Sequence, residues 1–143
     1  MRASRKLTTD LTIRDDLSGL AVLRDNLDRI GTELGVPYKP LVQLQVALDE
    51  IASNVIKYGW PDTGNHELRV RITGYHDRVE VEIVDDGQEF DPRLAPGLEA
   101  PPAGRTRIPG GVGIHIVRQL VDRLDYERIE GRNRTVMTKR YAR

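Results

Sequence analysis

Hydrophobic and polar positions recur along this chain with two periods, and the places where the period changes mark its elements. Leu7-Thr8-Thr9-Asp10-Leu11-Thr12-Ile13 alternates with a period of two and predicts a strand. From Leu17 to Leu34 the apolar residues return at Leu20, Leu23, Leu27, Ile30 and Leu34. That is one stripe of an amphipathic helix, and its opposite face carries Arg24, Asp25, Asp28 and Arg29. Asp15-Asp16-Leu17-Ser18-Gly19 offers caps for its start, while Gly35 and Pro37 stop it. A second helix begins near Tyr38-Lys39-Pro40, with the stripe Leu41, Leu44, Leu48, Ile51 and Val55. It ends at Tyr58-Gly59-Trp60-Pro61, and Asp62-Thr63-Gly64-Asn65 is turn chemistry.

Leu68–Thr73 and Val79–Val84 both alternate strictly, joined by Gly74-Tyr75-His76-Asp77, and predict an antiparallel hairpin with one buried face. From Gln88 to Pro109 the periodicity disappears among Pro92, Pro96, Pro101, Pro102 and Pro109, which predicts a long functional loop. Ile114, Val117, Leu120, Val121 and Leu124 then predict a third amphipathic helix. Tyr126–Ile129 and Thr135–Thr138 predict a last pair of strands around Gly131-Arg132-Asn133. The order β-α-α-β-β-loop-α-β-β predicts an α+β fold, a two-layer α/β sandwich with three helices on one face of a largely antiparallel five-stranded sheet.

Bulk properties narrow the function. A chain of 143 residues has the size of one domain, taken here as 1–143, with 38% hydrophobic residues to fill one core. Lys+Arg and Asp+Glu are equal at 22 each, which removes the electrostatic footprint of a general nucleic-acid binder. Cysteine is absent, excluding disulfides and thiol chemistry. The basic start Met1–Lys6 is followed by no apolar run, which argues against a secretory signal, and no stretch approaches bilayer length. The expectation is a soluble cytoplasmic domain that does not enter a membrane.

Three stretches carry candidate chemistry. Glu50 and Asn54 are four residues apart on the second helix and project from one face, beside its apolar stripe. A carboxylate above a carboxamide suits a hard cation such as Mg²⁺ and the phosphates it bridges. Asp85-Asp86-Gly87 follows a strand directly, so a strand-end carboxylate can accept from the exocyclic amine of a base while Gly87 lets the backbone approach the ring. Gly110-Gly111-Val112-Gly113 opens a helix, where free N–H groups and the helix dipole favour anions. It is neither a Walker A loop nor a dinucleotide fingerprint. Each stretch alone is weak: a solvated helix face, a turn or a hinge would look the same. Together and in this order they are far more specific.

On these residues the chain resembles the GHKL ATP-binding superfamily with its Bergerat fold, and within it the RsbW-type anti-sigma factor serine kinases of bacterial partner switching. Ala47–Gly59 looks like the N box, Val84–Pro92 like the G1 box and Gly110–Val117 like the G2 box, and the likeness extends from Leu7 to Arg140. No phosphoacceptor-histidine helix precedes it, which disfavours a two-component histidine kinase. The resemblance implies that Asn54 binds Mg²⁺, that Glu50 is the general base towards a protein serine or threonine, and that Asp85 takes the adenine amine beside Gly87. It also implies that Gly111 and Gly113 donate N–H groups to phosphate and that residues 88–109 form an ATP lid. On that lid Arg105 and Arg107 are candidates for the γ-phosphate. Implied partners are an anti-sigma-factor antagonist as phosphorylation substrate, a sigma factor and a second copy of the chain, with the first helix or the sheet edge as dimer surfaces. The alternative is a partner-switching adaptor without transfer activity. The chain departs from the family pattern at Glu89, which replaces a glycine, and at Asn133-Arg134-Thr135, which replaces a Gly-Thr pair, so Thr135 carries no assigned role. His115 and Trp60 read as a helical surface residue and a packing residue.

Overall fold

The structure, a computed structural model, describes residues 6–14, 16–60, 66–94 and 112–142. In order it contains β1 (Leu7–Arg14), α1 (Gly19–Leu34), α2 (Tyr38–Tyr58), β2 (Glu67–Gly74), β3 (Arg78–Asp85), a 3-10 turn at Pro92–Leu94, α3 (Val112–Leu120), β4 (Arg123–Ile129) and β5 (Arg132–Arg140). The strands form one antiparallel sheet of five in the order β1-β2-β3-β5-β4. With its helices on one side this is the expected α+β sandwich.

The alternation along each strand decides which side chains enter the core. Leu68, Val70 and Ile72 of β2, Val79, Val81 and Ile83 of β3 and Met137 of β5 are all at most 1% exposed. They meet Leu23, Leu27 and Ile30 of α1, Leu44 and Leu48 of α2, and Ile114 and Val117 of α3. Each such side chain contributes roughly 1.5–3 kcal/mol by leaving water. The other face of the sheet is charged: Arg71 pairs with Asp10 at 2.6 Å, and Arg134 bridges Glu82 at 2.6 Å and Glu127 at 3.3 Å. Among the described residues no helix is long and apolar enough to cross a membrane.

Three local expectations need correction. Ser18 does not cap α1 with its side chain; it lies in helical conformation and instead donates its N–H (2.9 Å) and hydroxyl to Asp16 Oδ1. The apolar stripe of α3 does not continue to Leu124, because the helix ends at Leu120 and Leu124 belongs to β4. β5 captures the chain there: Asp122 N–H donates to Thr138 O at 2.9 Å, Asp122 Oδ2 accepts from Arg140 N–H at 2.6 Å, and Lys139 Nζ caps the Leu120 carbonyl at 2.8 Å. Sheet pairing there outweighs one further helical turn. The last hairpin turns at Glu130 and Gly131 alone, so Arg132 and Asn133 are strand residues. The turn expected at Asp62–Asn65 lies outside the described residues.

Candidate functional site

Strand parity places the polar residues of the site. On β3 the inward positions run Val79, Val81, Ile83 and then Asp85, so the buried stripe ends in a carboxylate, 5% exposed. Asn133 of β5 is its direct cross-strand partner, and Thr135 faces Ile83. Both lie inward, Asn133 at 4% and Thr135 at 5% exposure. From the helical layer, Ile51, Asn54, Val55 and Tyr58 recur at helical spacing and face these strand ends. Between the layers lies a small cleft, closed by Gly59, Gln88, Phe90 and Pro92. Its apolar wall and few polar groups have the chemistry of a small-molecule site.

Burial pushes the Asp85 carboxyl above the usual carboxylate range; hydrogen bonds from Asn133 and Gly87 and the charge of Arg128 oppose that rise, while Asp86 adds to it. Its Oδ1 accepts from Gly87 N–H at 2.9 Å and from Asn133 Nδ2 at 3.0 Å. Gly87 sits where a side chain could not: an added Cβ would lie 2.6 Å from Gly59 O. This close approach lets Gln88 N–H donate to Gly59 O at 2.7 Å and Gln88 Nε2 to Tyr58 O at 2.5 Å, stapling the loop after β3 to the end of α2. Trp60 reinforces the staple, donating Nε1–H to Asp86 Oδ1 at 2.9 Å and stacking on His66 at 4.6 Å between ring centroids. It packs, as expected, and it also ties the loop.

Glu50 is half-buried one turn before Asn54, which is 9% exposed. The start of α3 is pressed against it: a Cβ added to Gly113 would lie 1.9 Å from Glu50 Oε2. The structure therefore brings the second helix, the strand-end aspartate and the glycine-started helix to one side of the sheet. Asn54 and Asp85 line the same cleft, and Glu50 meets Gly113 beside it. Gly111, Arg105 and Arg107 lie outside the described residues. So does most of the expected lid; its described part, 88–94, ends in the turn at Pro92–Leu94, where Arg118 of α3 donates to Arg93 O at 2.9 Å. His115 is half-buried beside Arg118 and Gln119 on its own helix.

Two residues here were not singled out from the sequence. Phe90 lies in the G1-like stretch and Asn133 in the segment that replaces the Gly-Thr pair, but neither was assigned a role, and only the cross-strand register with Asp85 would have pointed to that of Asn133. Thr135, left without a role, lines the cleft. The donor set also fits a magnesium ion carried in by a nucleotide. Glu50 and Asn54 supply hard oxygen donors from one helix face, and among the described residues no three His, Cys, Asp or Glu side chains could cage a metal by themselves.

Comparison with known proteins agrees with this geometry. Residues 13–139 match the family described as histidine kinase-like ATPase domain. Curated relatives include the serine-protein kinase RsbW of Listeria monocytogenes, 28% identical over 139 residues that cover 94% of this chain and 86% of the relative. The serine-protein kinase RsbW of Halalkalibacterium halodurans is 25% identical over 135 residues, covering 92% and 82%. In fold, the chain resembles the crystal structure of the RsbU and RsbW domains of a Mycobacterium tuberculosis protein with a TM-score of 0.64 at 16% identity. That likeness takes in 96% of this chain and 33% of the longer one. The chain belongs to the histidine kinase-like ATPase domain family.

Proposed function

We propose that this protein is an ATP-dependent protein serine/threonine kinase acting as an anti-sigma factor in a partner switch. The observation that carries the reading is the contact between Gly113 and Glu50, which sets a helix start against an acid one turn from Asn54 and beside the Asp85 cleft. Asp85 accepts the adenine amine, with Gly87 beside the base. The N–H groups of Gly111 and Gly113 receive phosphate oxygens, and Arg105 takes a γ-phosphate oxygen from a lid spanning about 88–109. Asn54 holds Mg²⁺, which supplies charge neutralisation across the phosphates. Glu50 accepts the proton of the substrate serine as its oxygen bonds to the γ-phosphorus and the bond to the β-phosphate oxygen breaks, releasing ADP. Because phosphoryl transfer needs little beyond positioning and charge neutralisation, this small set is sufficient.

The phosphoacceptor is a serine on an anti-sigma-factor antagonist, and the competing partner is a sigma factor. Phosphorylation dismisses the antagonist and frees the kinase, a homodimer in the cytoplasm, to hold the sigma factor. The test is transfer of label from γ-labelled ATP to a candidate antagonist by wild type and Glu50→Gln. Loss of the base is expected to slow transfer about 10²- to 10⁴-fold while ATP still binds. ATP binding without transfer by either protein would replace the kinase with a non-catalytic adaptor.

A further inference from the structure

Asn133 uses every hydrogen bond that its amide offers. Nδ2 donates to Asp85 Oδ1 at 3.0 Å and to the Gln88 carbonyl at 2.9 Å. Its Oδ1 accepts from Phe90 N–H at 3.3 Å and from the Tyr126 hydroxyl. A carboxamide has two donors and two acceptor lone pairs, so none remains. The assignment of its nitrogen and oxygen follows from the partners: turned over, the amide would set its oxygen against two oxygens and its NH₂ against the Phe90 N–H. The side chain is therefore locked, and at 4% exposure water does not compete for it.

The consequence falls on Asp85. Its Oδ1 already receives two N–H donors, from Asn133 and Gly87, whereas Oδ2 has no hydrogen-bond partner among the described residues. We infer that Asn133 is the positioning residue for base recognition: it fixes the Asp85 carboxylate so that Oδ2 alone meets the base, and it thereby sets a preference for a purine with an amino group at position 6 over one with a carbonyl. The inference rests on the nucleotide reading of the cleft and deepens it. An amino group donates to Oδ2, while a carbonyl at the same place sets its own oxygen against Oδ2 with no proton between them. A carboxylate free to rotate could offer either oxygen or swing aside, and discrimination would relax. The same amide holds the backbone of Gln88 and Phe90, so the base contact and the start of the lid share one clamp.

The experiment measures dissociation constants of the full-length protein for ATP and for inosine triphosphate, which differ at position 6, in excess magnesium. Trp60, the single tryptophan, beside Asp86, serves as fluorescent reporter, with thermal melting as the control for folding. Wild type is expected to favour ATP, and Asn133→Ala to lower the ratio of the two affinities by on the order of 10-fold or more, the worth of one buried charge-assisted hydrogen bond. A residue that only braced the hairpin would weaken both nucleotides equally, and an unchanged ratio overturns the inference. Should Asn133→Ala not fold, Tyr126→Phe removes one partner of Asn133 without touching Asp85; a smaller fall in the ratio supports the inference and an unchanged ratio overturns it. A wild type that binds neither nucleotide defeats the nucleotide reading itself, a separate and recognisable result.

Discussion

Replacing Gly113 by alanine separates what the contact with Glu50 does for folding from what it does for transfer. The new Cβ would stand 1.9 Å from Glu50 Oε2 and 2.8 Å from its Cδ. To restore even 3.0 Å, the carboxylate oxygen must retreat by about 1.1 Å. The atom in the way is the end of a flexible side chain, so the retreat costs little. Gly113 is helical and is not among the described glycines with positive φ, so alanine meets no backbone strain. In a helix it even gains up to about 1 kcal/mol over glycine. Stability should therefore stay within about 1 kcal/mol of wild type or rise. Transfer should not survive so well: a displacement near 1 Å at a reacting group costs about 10²-fold. The assay pairs single-turnover transfer from labelled ATP with urea unfolding of the same preparation. A melt unchanged and a rate down by about two decades is the expected pair. Wild-type transfer by Gly113→Ala would refute the placement of Glu50 at the reacting centre. A collapse of the fold would refute the claim that its side chain gives way.

Asp85→Asn should cost ATP binding and spare the fold. The asparagine Oδ1 can still accept from Gly87 and Asn133, but its NH₂ now opposes the adenine amine, a loss on the order of 10- to 100-fold by calorimetry. The sign of the pH effect follows from burial, which raises the folded-state pKa of Asp85 above 3.8. The native state then holds its proton to higher pH than the unfolded chain, so this group's contribution favours folding at low pH. It is lost as pH rises from 3.8 through the folded value, leaving a penalty at neutral pH. Melting of Asp85→Asn should thus equal or exceed wild type at pH 7 and lose that part of the acid dependence; a lower melting point at pH 7 contradicts it. Leu27→Ala, at a side chain with no exposure beneath the sheet, should lower unfolding free energy by about 2–5 kcal/mol in urea with an unchanged m-value.

Much of the fold was legible because its elements obey simple periods. The stripes of α1 and α2 and the alternation of β2 and β3 each name the residues that end in the core. Glu50, Asn54, Asp85 and Gly113 were legible for another reason: Glu50 and Asn54 flank the stripe of α2, Asp85 ends the apolar alternation of β3, Gly113 opens α3, and the resemblance groups them. The end of α3 was not legible. Val121 and Leu124 continue the helical rhythm, yet hydrogen bonds from Asp122 to β5, far along the chain, decide where the backbone turns. Asn133 was hidden in the same way, since all its partners but Tyr126 lie 43 to 48 residues away and no local pattern marks it.

Asp85 is where the end of a period says most. The inward positions of β3 are valine, valine and isoleucine, so packing alone asks for another apolar residue at the strand's end. A carboxylate there is disfavoured by burial, and the structure does not neutralise it in the direct way. Arg128, a cation whose charge acts on it, spends Nη1 on the Gly87 carbonyl at 2.8 Å, and no ion pair reaches Asp85 among the described residues. An arginine fork on that carboxylate would occupy both oxygens. Two N–H donors on Oδ1 stabilise the charge only in part, and they leave Oδ2 without a hydrogen-bond partner among the described residues. A site selected for stability alone would have closed the second oxygen; the proposed recognition of an adenine amine requires it open.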